Sequence, residues 1–599
     1  MKLLSLFLGF MLVGSHACAN EIHVSTQGND AATGNASNPV ATLSTARDKA
    51  RIYRSERPDE PIEIIVHDGT YILREALNLT TEDSGSVSAP TTYRAAMGEH
   101  VILTGATSLT PISGTQVASL DLLPVSTREN VLVFQLDDTI ALSSLLAPNR
   151  SQDVPMSPDG ASLIYRGSAQ PRASTPNNVW ASFHSEDSTE NLQTSVPGFQ
   201  GMMHAFSTRN DQDRYESLSN ALASMEEGAR YKIENRVEDL DRPGEWVIDV
   251  DNRQLLWWPP NTGKLETPEL STTECLISLY GVKNVSIDGF VIEGARDQAI
   301  EIAGGSNCTV RNCVVRCIGN TGASVFHGIG HSITGCEFYD TGASAIRIEG
   351  GDAADEKEAG HSCSFNRIHA CCSHYQARRG AIEVYGYGVS VNNNRIENLP
   401  DWAIYVDGSK NQIQENELHH VCLETEDTGA IYMTLDTKQT GNLVSSNFIH
   451  DIGKLDGKNT FAIYLDDYTS NTVVSNNIIQ NSPRGIVIRN GSYNSISNNA
   501  ILQGVVGIQI GSNAGVENKI TSNAITADNP IVLANEISKI KVVNNTKRID
   551  ELFVDPMHGD FRIANQELAS LLSIRAISTN YIGATPSMEK EVYVTSTAE

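Results

Sequence analysis

Aromatic residues make up only 6% of this 599-residue chain and charged residues only 19%, while Gly, Asn, Ser and Thr are abundant. That balance points to an all-β, turn-rich protein rather than a helical one. The length exceeds a single compact core and implies several modules or one elongated repeat array. Positive charge is scarce: 44 Lys and Arg face 72 Asp and Glu, a formal net charge of −28. Such a surface repels polyanions, so nucleic acid is not an expected partner, although a local basic patch leaves room for a sulfated or uronic glycan. Long apolar runs are missing after the N-terminus, so no membrane span is expected. C-x-x-C pairs at zinc-finger spacing are missing too.

The start, MKLLSLFLGFMLVGSHACAN, supplies Lys2, an apolar stretch over 3–13 and an A-x-A-type site at Ala17-Cys18-Ala19. It is expected to be a secretory signal peptide cleaved after Ala19, giving an exported protein, periplasmic or extracellular. Cys18 raises the rival of a lipoprotein anchor, but Ser15-His16-Ala17 lacks the aliphatic residue that such a site carries. Ten cysteines become nine after cleavage, an odd number that cannot pair completely. Cys313 follows Asn312 and Cys336 follows Gly335, recurring places that favour a buried stack of small apolar side chains over a disulfide framework.

From about residue 284 a pattern recurs: NVSIDGFVI, NCTVRNCVV, HSITGCEF, HSCSFNRI, VSVNNNRI and five more. The Asn or Gly before each last apolar pair falls at Gly289, Asn312, Gly335, Asn366, Asn394, Asn416, Asn447, Asn477, Asn499 and Asn523, in steps of 22 to 31 residues. A further strand lies in each unit: SAIRIEG, GAIEVYG, WAIYVDG, GAIYMT, FAIYLDD, RGIVIRN, VGIQIGS. Units of this size with about three short β segments stack as a parallel β-helix. The stretches IIVHDGTYILREALNL and TTYRAAMGEHVILTG resemble the first coils of secreted right-handed β-helix proteins, which implies a right-handed, pectate-lyase-like solenoid. Asn in the turns suits a side-chain ladder and left-handed backbone. The longest units fall in 336–394 and 417–477, and such insertions map to a binding face.

The expected organisation is a signal peptide at 1–19, an N-terminal cap and first coils at 20–106, an inserted β-rich module at 107–262, the main β-helix with its groove at 263–550, and a closing segment and tail at 551–599. The module lacks the Asn marker and carries Trp180, Trp246, Trp257 and Trp258. Its end, GEWVIDVDNRQLLWWPP, reads as a hairpin turning at Asp251-Asn252.

Aligning the recurrent strands by Ile382, Ile404, Ile431 and Ile463 puts Glu383, Tyr405, Tyr432 and Tyr464 in one outward column, and Asp407, Thr434, Asp466 and Arg489 in the next. With coils about 4.8 Å apart, Asp407 and Asp466 are expected roughly 10 Å apart, and Asp427 about 5–9 Å from Asp466 or Asp467. That range covers both glycosidase geometries. Tyrosine faces pack on sugar C–H surfaces, and of two neighbouring carboxyls one can protonate the leaving oxygen while the other acts as nucleophile or base. For any one of these residues the plain alternative is a solvated surface position. The whole column, beside the longest units, is what points to a site.

The run ETEDTGAIY, then FAIYLDDYTSNTVVSNNII and RGIVIRNGSYNSISNN, resembles secreted β-helix glycoside hydrolases, and most of all glycoside hydrolase family 141, which includes α-L-fucosidases and xylanases of complex plant or algal glycans. The resemblance covers most of the mature chain. It implies that a pair of aspartates does the chemistry, here Asp427 with Asp466 or Asp467. Thr428 stands where the pattern expects a smaller residue or Cys. Glu383, Tyr405, Asp407, His420, Glu426, Tyr432, Tyr464 and Arg489 are the candidate substrate-binding residues. His419, His420 and His450 end the preceding strands and are either sugar contacts or structural. Arg378-Arg379, Arg484 and Arg489 could bind a substrate carboxylate or sulfate, or pair with Glu383 and Asp466. The acidic loop GDAADEKEAG is read as solvated. The substrate is thus expected to be a polysaccharide or oligosaccharide, with no cofactor and no metal. Two rivals remain: a polysaccharide lyase on the same fold, with calcium on Glu424, Glu426 and Asp427, and a non-catalytic glycan-binding or adhesin β-helix.

Overall fold

The computed structural model describes residues 20–575 except 113–117, 124, 138–139, 141–159, 178–180, 184–201, 207–212, 218–226, 250, 261–265, 375, 435–440, 454–458 and 535–539. The signal segment with Cys18, Trp180 and the tail at 576–599 therefore lie outside the described residues. Among the described residues no helix is long and apolar enough to cross a membrane.

Three long parallel sheets run the length of the molecule, of 14, 12 and 12 strands, here sheets I, II and III. Each coil visits them in that order: Gln412–Gln414 in sheet I, Glu417–His419 in sheet II, Thr428–Met433 in sheet III. The next coil stacks on it in register, Ile413 on Val444, Leu418 on Ile449, Ile431 on Ile463. Like meets like along the axis, so a column of aliphatic side chains fills one continuous core. The helix Leu43–Glu56 closes the first coil by burying Leu43, Ala46 and Ala50, and its N-terminus is capped by Thr42, whose hydroxyl accepts from the Thr45 N–H at 3.2 Å.

The recurrent Asn marks two adjacent positions, not one. Gly289, Asn312 and Gly335 hold positive φ angles of 78°, 53° and 64°, and in later coils Phe365, Asn393 and Asn476 do so at 57°, 56° and 55°. The buried ladder is the residue after: Cys313, Cys336, then Asn366, Asn394, Asn416, Asn447, Asn477, Asn499 and Asn523. The expected interval from Gly335 to Asn366 is corrected accordingly: Cys336 is the partner of Asn366, 30 residues away, its N–H donating to Asn366 Oδ1 at 2.9 Å. The turn makes two separate demands, a left-handed backbone and an inward polar atom, and Asn serves both. In the early coils Cys313 and Cys336 occupy the inward place, the Cys313 N–H meeting Cys336 Sγ at 3.5 Å. All nine cysteines of the described chain are free thiols, eight of them buried.

A second ladder runs along the turns from sheet III to sheet I. Asn411 Oδ1 accepts from the Val389 N–H, and Asn442 Oδ1 from the Asn411 N–H, both at 2.9 Å. Earlier in the chain histidine takes this role: His361 Nδ1 accepts from the His331 N–H, and His331 Nδ1 from the Cys308 N–H, both at 3.1 Å.

The extra residues of the long coils fall on the two edges of sheet III. Connections 370–381, 398–403, 420–427 and 451–459 lie on the edge shared with sheet II, and 351–361 and 434–442 on the edge shared with sheet I. The chain also leaves the solenoid at the sheet II edge. It departs after Val101–Thr104 in sheet II and rejoins at Thr273–Tyr280 in sheet III, with small antiparallel sheets between. Among these, Trp246–Asp249 pairs antiparallel with Gln254–Trp257, and Trp246 sits opposite Trp257. At the far end, Phe553–Asp555 and Asp560–Ile563 form a two-stranded ribbon. It packs Phe553 and Phe561 over Phe448, Ile478 and Ala500 on the outer face of sheet II.

Candidate active site

Sheet III presents one outward column through Arg347, Glu383, Tyr405, Tyr432, Tyr464 and Val487. Two residues on, Tyr385 pairs with Asp407. Backbone hydrogen bonds from the Thr434 N–H to Val406 O, the Asp466 N–H to Met433 O and the Arg489 N–H to Leu465 O extend that second column through Thr434, Asp466 and Arg489. Outward does not mean exposed here: Glu383, Asp466 and Tyr464 are 1%, 2% and 3% exposed. Loops and neighbouring rings cover them, as Arg379 and Gly380 cover Glu383, and Phe461 and Val487 cover Tyr464.

Asp427 stands at the end of the 420–427 connection in a left-handed conformation, φ 55°, on the coil beside that of Asp466. The Tyr464 hydroxyl donates to Asp427 Oδ1 at 3.1 Å, and the Tyr432 hydroxyl to Asp466 Oδ2 at 2.6 Å. Arg489 Nη1 lies 3.2 Å from Asp466 Oδ1 and 3.9 Å from Asp427 Oδ2. Those two legs cap the gap between the facing oxygens of Asp466 and Asp427 at roughly 7 Å, so the two carboxylates are close neighbours. Asp467, half-buried, accepts from Asn490 Nδ2 at 3.3 Å. Its pKa is raised, first by burial and then by the charges of Asp466 and Asp427, with Arg489 opposing. Burial, followed by the nearby carboxylates, lifts the Tyr432 and Tyr464 phenols well above their ordinary range, so both hydroxyls stay protonated donors.

What holds Asp427 in place is Asp401, which the sequence reading did not single out. It is 2% exposed and accepts from the hydroxyls of Thr425, at 2.7 Å, and Thr428, clamping the chain on both sides of Asp427. Thr428, the departure from the family pattern, thus has an anchoring role. Trp402 was also missed. Its ring stacks on Tyr405 at 4.7 Å and on Tyr432 at 4.6 Å, turning two tyrosines into one aromatic wall. The signal was present, since Trp402 opens the recurrent strand WAIYVDG, but its position before the inward Ile404 gave no hint that its ring would turn back over the column.

The other candidates are placed as follows. Glu383 is gripped from one side by Arg379 Nη1 at 3.4 Å and from the other by Arg347 Nη1 at 4.0 Å, with the Tyr385 hydroxyl at 3.4 Å. Asp407 is half-buried next to Tyr405, and Glu426 is exposed beside Asp427. Arg484 donates to Gln509 Oε1 at 2.6 Å and lies over the Phe461 ring, two contacts outside the aspartate cluster. Glu424 turns to Arg230 of the 105–272 region, whose Nη2 donates to the Glu424 carbonyl at 2.7 Å and whose Nη1 lies 3.9 Å from Glu424 Oε2. Glu424 and Asp427 therefore meet different side chains, Arg230 for the first and Tyr464 and Arg489 for the second. His420 meets His419 at 2.8 Å at the end of a sheet II strand, and its contact is with that histidine rather than with the aspartates.

The family model described as "Right handed beta helix region" matches residues 380–546. A solved structure named "Glycoside hydrolase" superposes with a TM-score of 0.63 at 16% identity, covering 93% of this chain and 99% of that one. The fold is a right-handed parallel β-helix. A second solved structure, described as the complex of XylC with xylose, is similar at a TM-score of 0.50 and 13% identity, covering 87% of this chain and 76% of that one. No curated protein matches the sequence. Likeness at these identities speaks to the β-helix and leaves its chemistry to the residues in the groove.

Proposed function

We propose that this β-helix is an exported glycoside hydrolase acting on a complex plant or algal polysaccharide, α-L-fucosidase-like by its sequence resemblance. The observation that carries the reading is a single one: Arg489 touches carboxylates from two adjacent coils, Asp466 at 3.2 Å and Asp427 at 3.9 Å, beside a third acid, Asp467, whose proton is held more tightly than usual. Asp467 is the proton donor to the leaving oxygen. Asp427, exposed and steered by Tyr464, is the opposing carboxylate that attacks the anomeric carbon or takes the proton of the attacking water. Asp466, buried under Tyr432 and Arg489, keeps the cluster charged and aligned. The Trp402 ring, itself buried, stacks over Tyr405 and Tyr432 and so stiffens the apolar side of the cluster against which a sugar would sit. The neighbour solved with xylose lends weight to a small neutral sugar.

The test is a screen of sugars released from plant and algal polysaccharides by the wild type and by Asp427→Asn. The expected result is a defined monosaccharide or oligosaccharide with new reducing ends, reduced roughly 10²–10⁴-fold in the variant. Product absorbing in the ultraviolet would indicate a lyase instead. Turnover unchanged in Asp427→Asn would refute the assignment.

A further inference from the structure

Away from the groove, sheet II carries a second cluster. Glu417 and His419 sit two residues apart on one strand and so point the same way. His450 is the partner of His419 on the next coil. One carboxylate oxygen and one nitrogen from each imidazole all lie within 4.8 Å of one another. The two rings stack with centroids 4.8 Å apart.

The hydrogen bonding of the rings is lopsided. Each Nδ1 is engaged, His450 Nδ1 with Asp451 Oδ2 and His419 Nδ1 with His420 Nδ1, both at 2.8 Å. His450 Nε2 is buried and makes no hydrogen bond, whereas His419, only 8% exposed, turns its Nε2 to Glu397 Oε2 at 3.0 Å. That contact is the first cause holding the Glu397 carboxyl well below the usual carboxylate range. Glu397 is held by Arg367 at 3.0 Å and Arg395 at 3.2 Å. His450 Nε2 lies 3.6 Å from Glu417 Oε1. Leaving buried polar atoms unpaired is costly. An imidazole that gives its Nδ1–H to a carboxylate, as His450 can to Asp451, presents its Nε2 lone pair outward, which is how metal-bound histidines are held.

Ring stacking alone does not account for this cluster. His331 and His361 also stack on neighbouring coils, at 5.1 Å, and His361 Nε2 is likewise buried without a hydrogen bond, but among the described residues no third ligating side chain joins that pair.

We propose that Glu417, His419 and His450 form a binding site for a first-row divalent cation, zinc foremost, with Asp451 as a positioning residue. Two imidazoles and a carboxylate are a zinc donor set. Bonds near 2.1 Å hold tetrahedral ligand atoms about 3.4 Å apart, so closing on the ion requires the two stacked rings to tilt toward each other as well as rotation of the Glu417 side chain. The ion ties two coils together where the chain leaves sheet II at His420 and Asp451, and so braces the start of the 420–427 connection that carries Asp427.

The experiment uses zinc chloride alone, without substrate. Full-length protein stripped with chelator is reloaded, gel-filtered and assayed for metal, and cobalt(II) is added in parallel for its visible absorption. The expected result is one zinc retained per chain, a cobalt spectrum of low coordination number, and affinity at least tenfold weaker in His419→Gln, His450→Gln and Glu417→Gln. Glu417→Gln leaves the ring stack intact and so covers the case in which a histidine variant misfolds. No zinc retained by the wild type, or retention unchanged in all three variants, overturns the proposal.

Discussion

Asp467 shows how much one residue depends on its company. An aspartate on a solvated strand end is ordinarily ionised at neutral pH, but here burial and the charges of Asp466 and Asp427 favour its protonated form. Raised in the folded state, its contribution to stability is present below the ordinary aspartate value and is lost as pH climbs through the folded value. The same sign governs the chemistry proposed: activity should fall on the alkaline side as Asp467 loses its proton. A pH profile of kcat/KM should therefore show an alkaline limb in the wild type. In Asp467→Asn that limb should vanish and turnover of a substrate with a poor leaving group should drop roughly 10²-fold or more. An unchanged profile would remove Asp467 from the role of acid. The sequence places Asp466 and Asp467 side by side with nothing to distinguish them. Only their surroundings do, one locked under Tyr432 and Arg489 and the other half-open beside Asn490.

At the scale of an element, the turn between sheets I and II pairs two positions with different work. Asn447 Oδ1 accepts from the Asn416 N–H and Nδ2, both at 3.0 Å, and Asn447 Nδ2 donates to Ile413 O at 2.9 Å. Asn447→Ala strands all three groups inside the core and should cost about 3 kcal/mol or more. Asn476→Ala touches only a left-handed backbone position, φ 55°, and should cost about 1 kcal/mol. Urea or thermal unfolding of the two variants should rank them in that order, and equal effects would contradict the ladder assignment. In the second ladder, burial lowers His331 and His361 to about 4. The unfolded chain binds these protons first, so stability should decline as pH falls from about 6.5 and level off near 4, by on the order of 3 kcal/mol for each histidine. Calorimetry at pH 7 and pH 5 should show that loss, and His361→Asn, which restores the ladder's usual residue, should shrink it.

At the scale of the molecule, the excursion between Thr104 and Thr273 starts near one end of the solenoid and reaches the 420–427 connection roughly 30 Å along the axis, at about 4.8 Å per coil. Arg230 makes that contact, with its guanidinium on the carbonyl and carboxylate of Glu424. Burial also lowers the pKa of Lys232 on the same strand, with Glu234 and Glu424 opposing. Arg230→Ala should loosen the connection that carries Asp427. A several-fold fall in turnover and faster proteolytic nicking in 420–427 are expected, with little change in melting temperature because the three-sheet core is untouched. Identical kinetics and nicking would show that the contact does not support the site.

The repeat, the three strands per coil, the inward isoleucines and the two outward columns were all legible in the sequence, because strand alternation and coil stacking are local and periodic. What period cannot encode is how aperiodic segments fold back over the sheet. Burial of the outward Glu383, Asp466 and Tyr464, the clamp of Asp401 on Thr425 and Thr428, and the turn of Trp402 across two tyrosines depend on connections of unequal length meeting side chains far away in sequence. The split of one Asn motif into a backbone position and a ladder position was hidden for the same reason: both demands select Asn, and only the inward or outward path of the chain separates them.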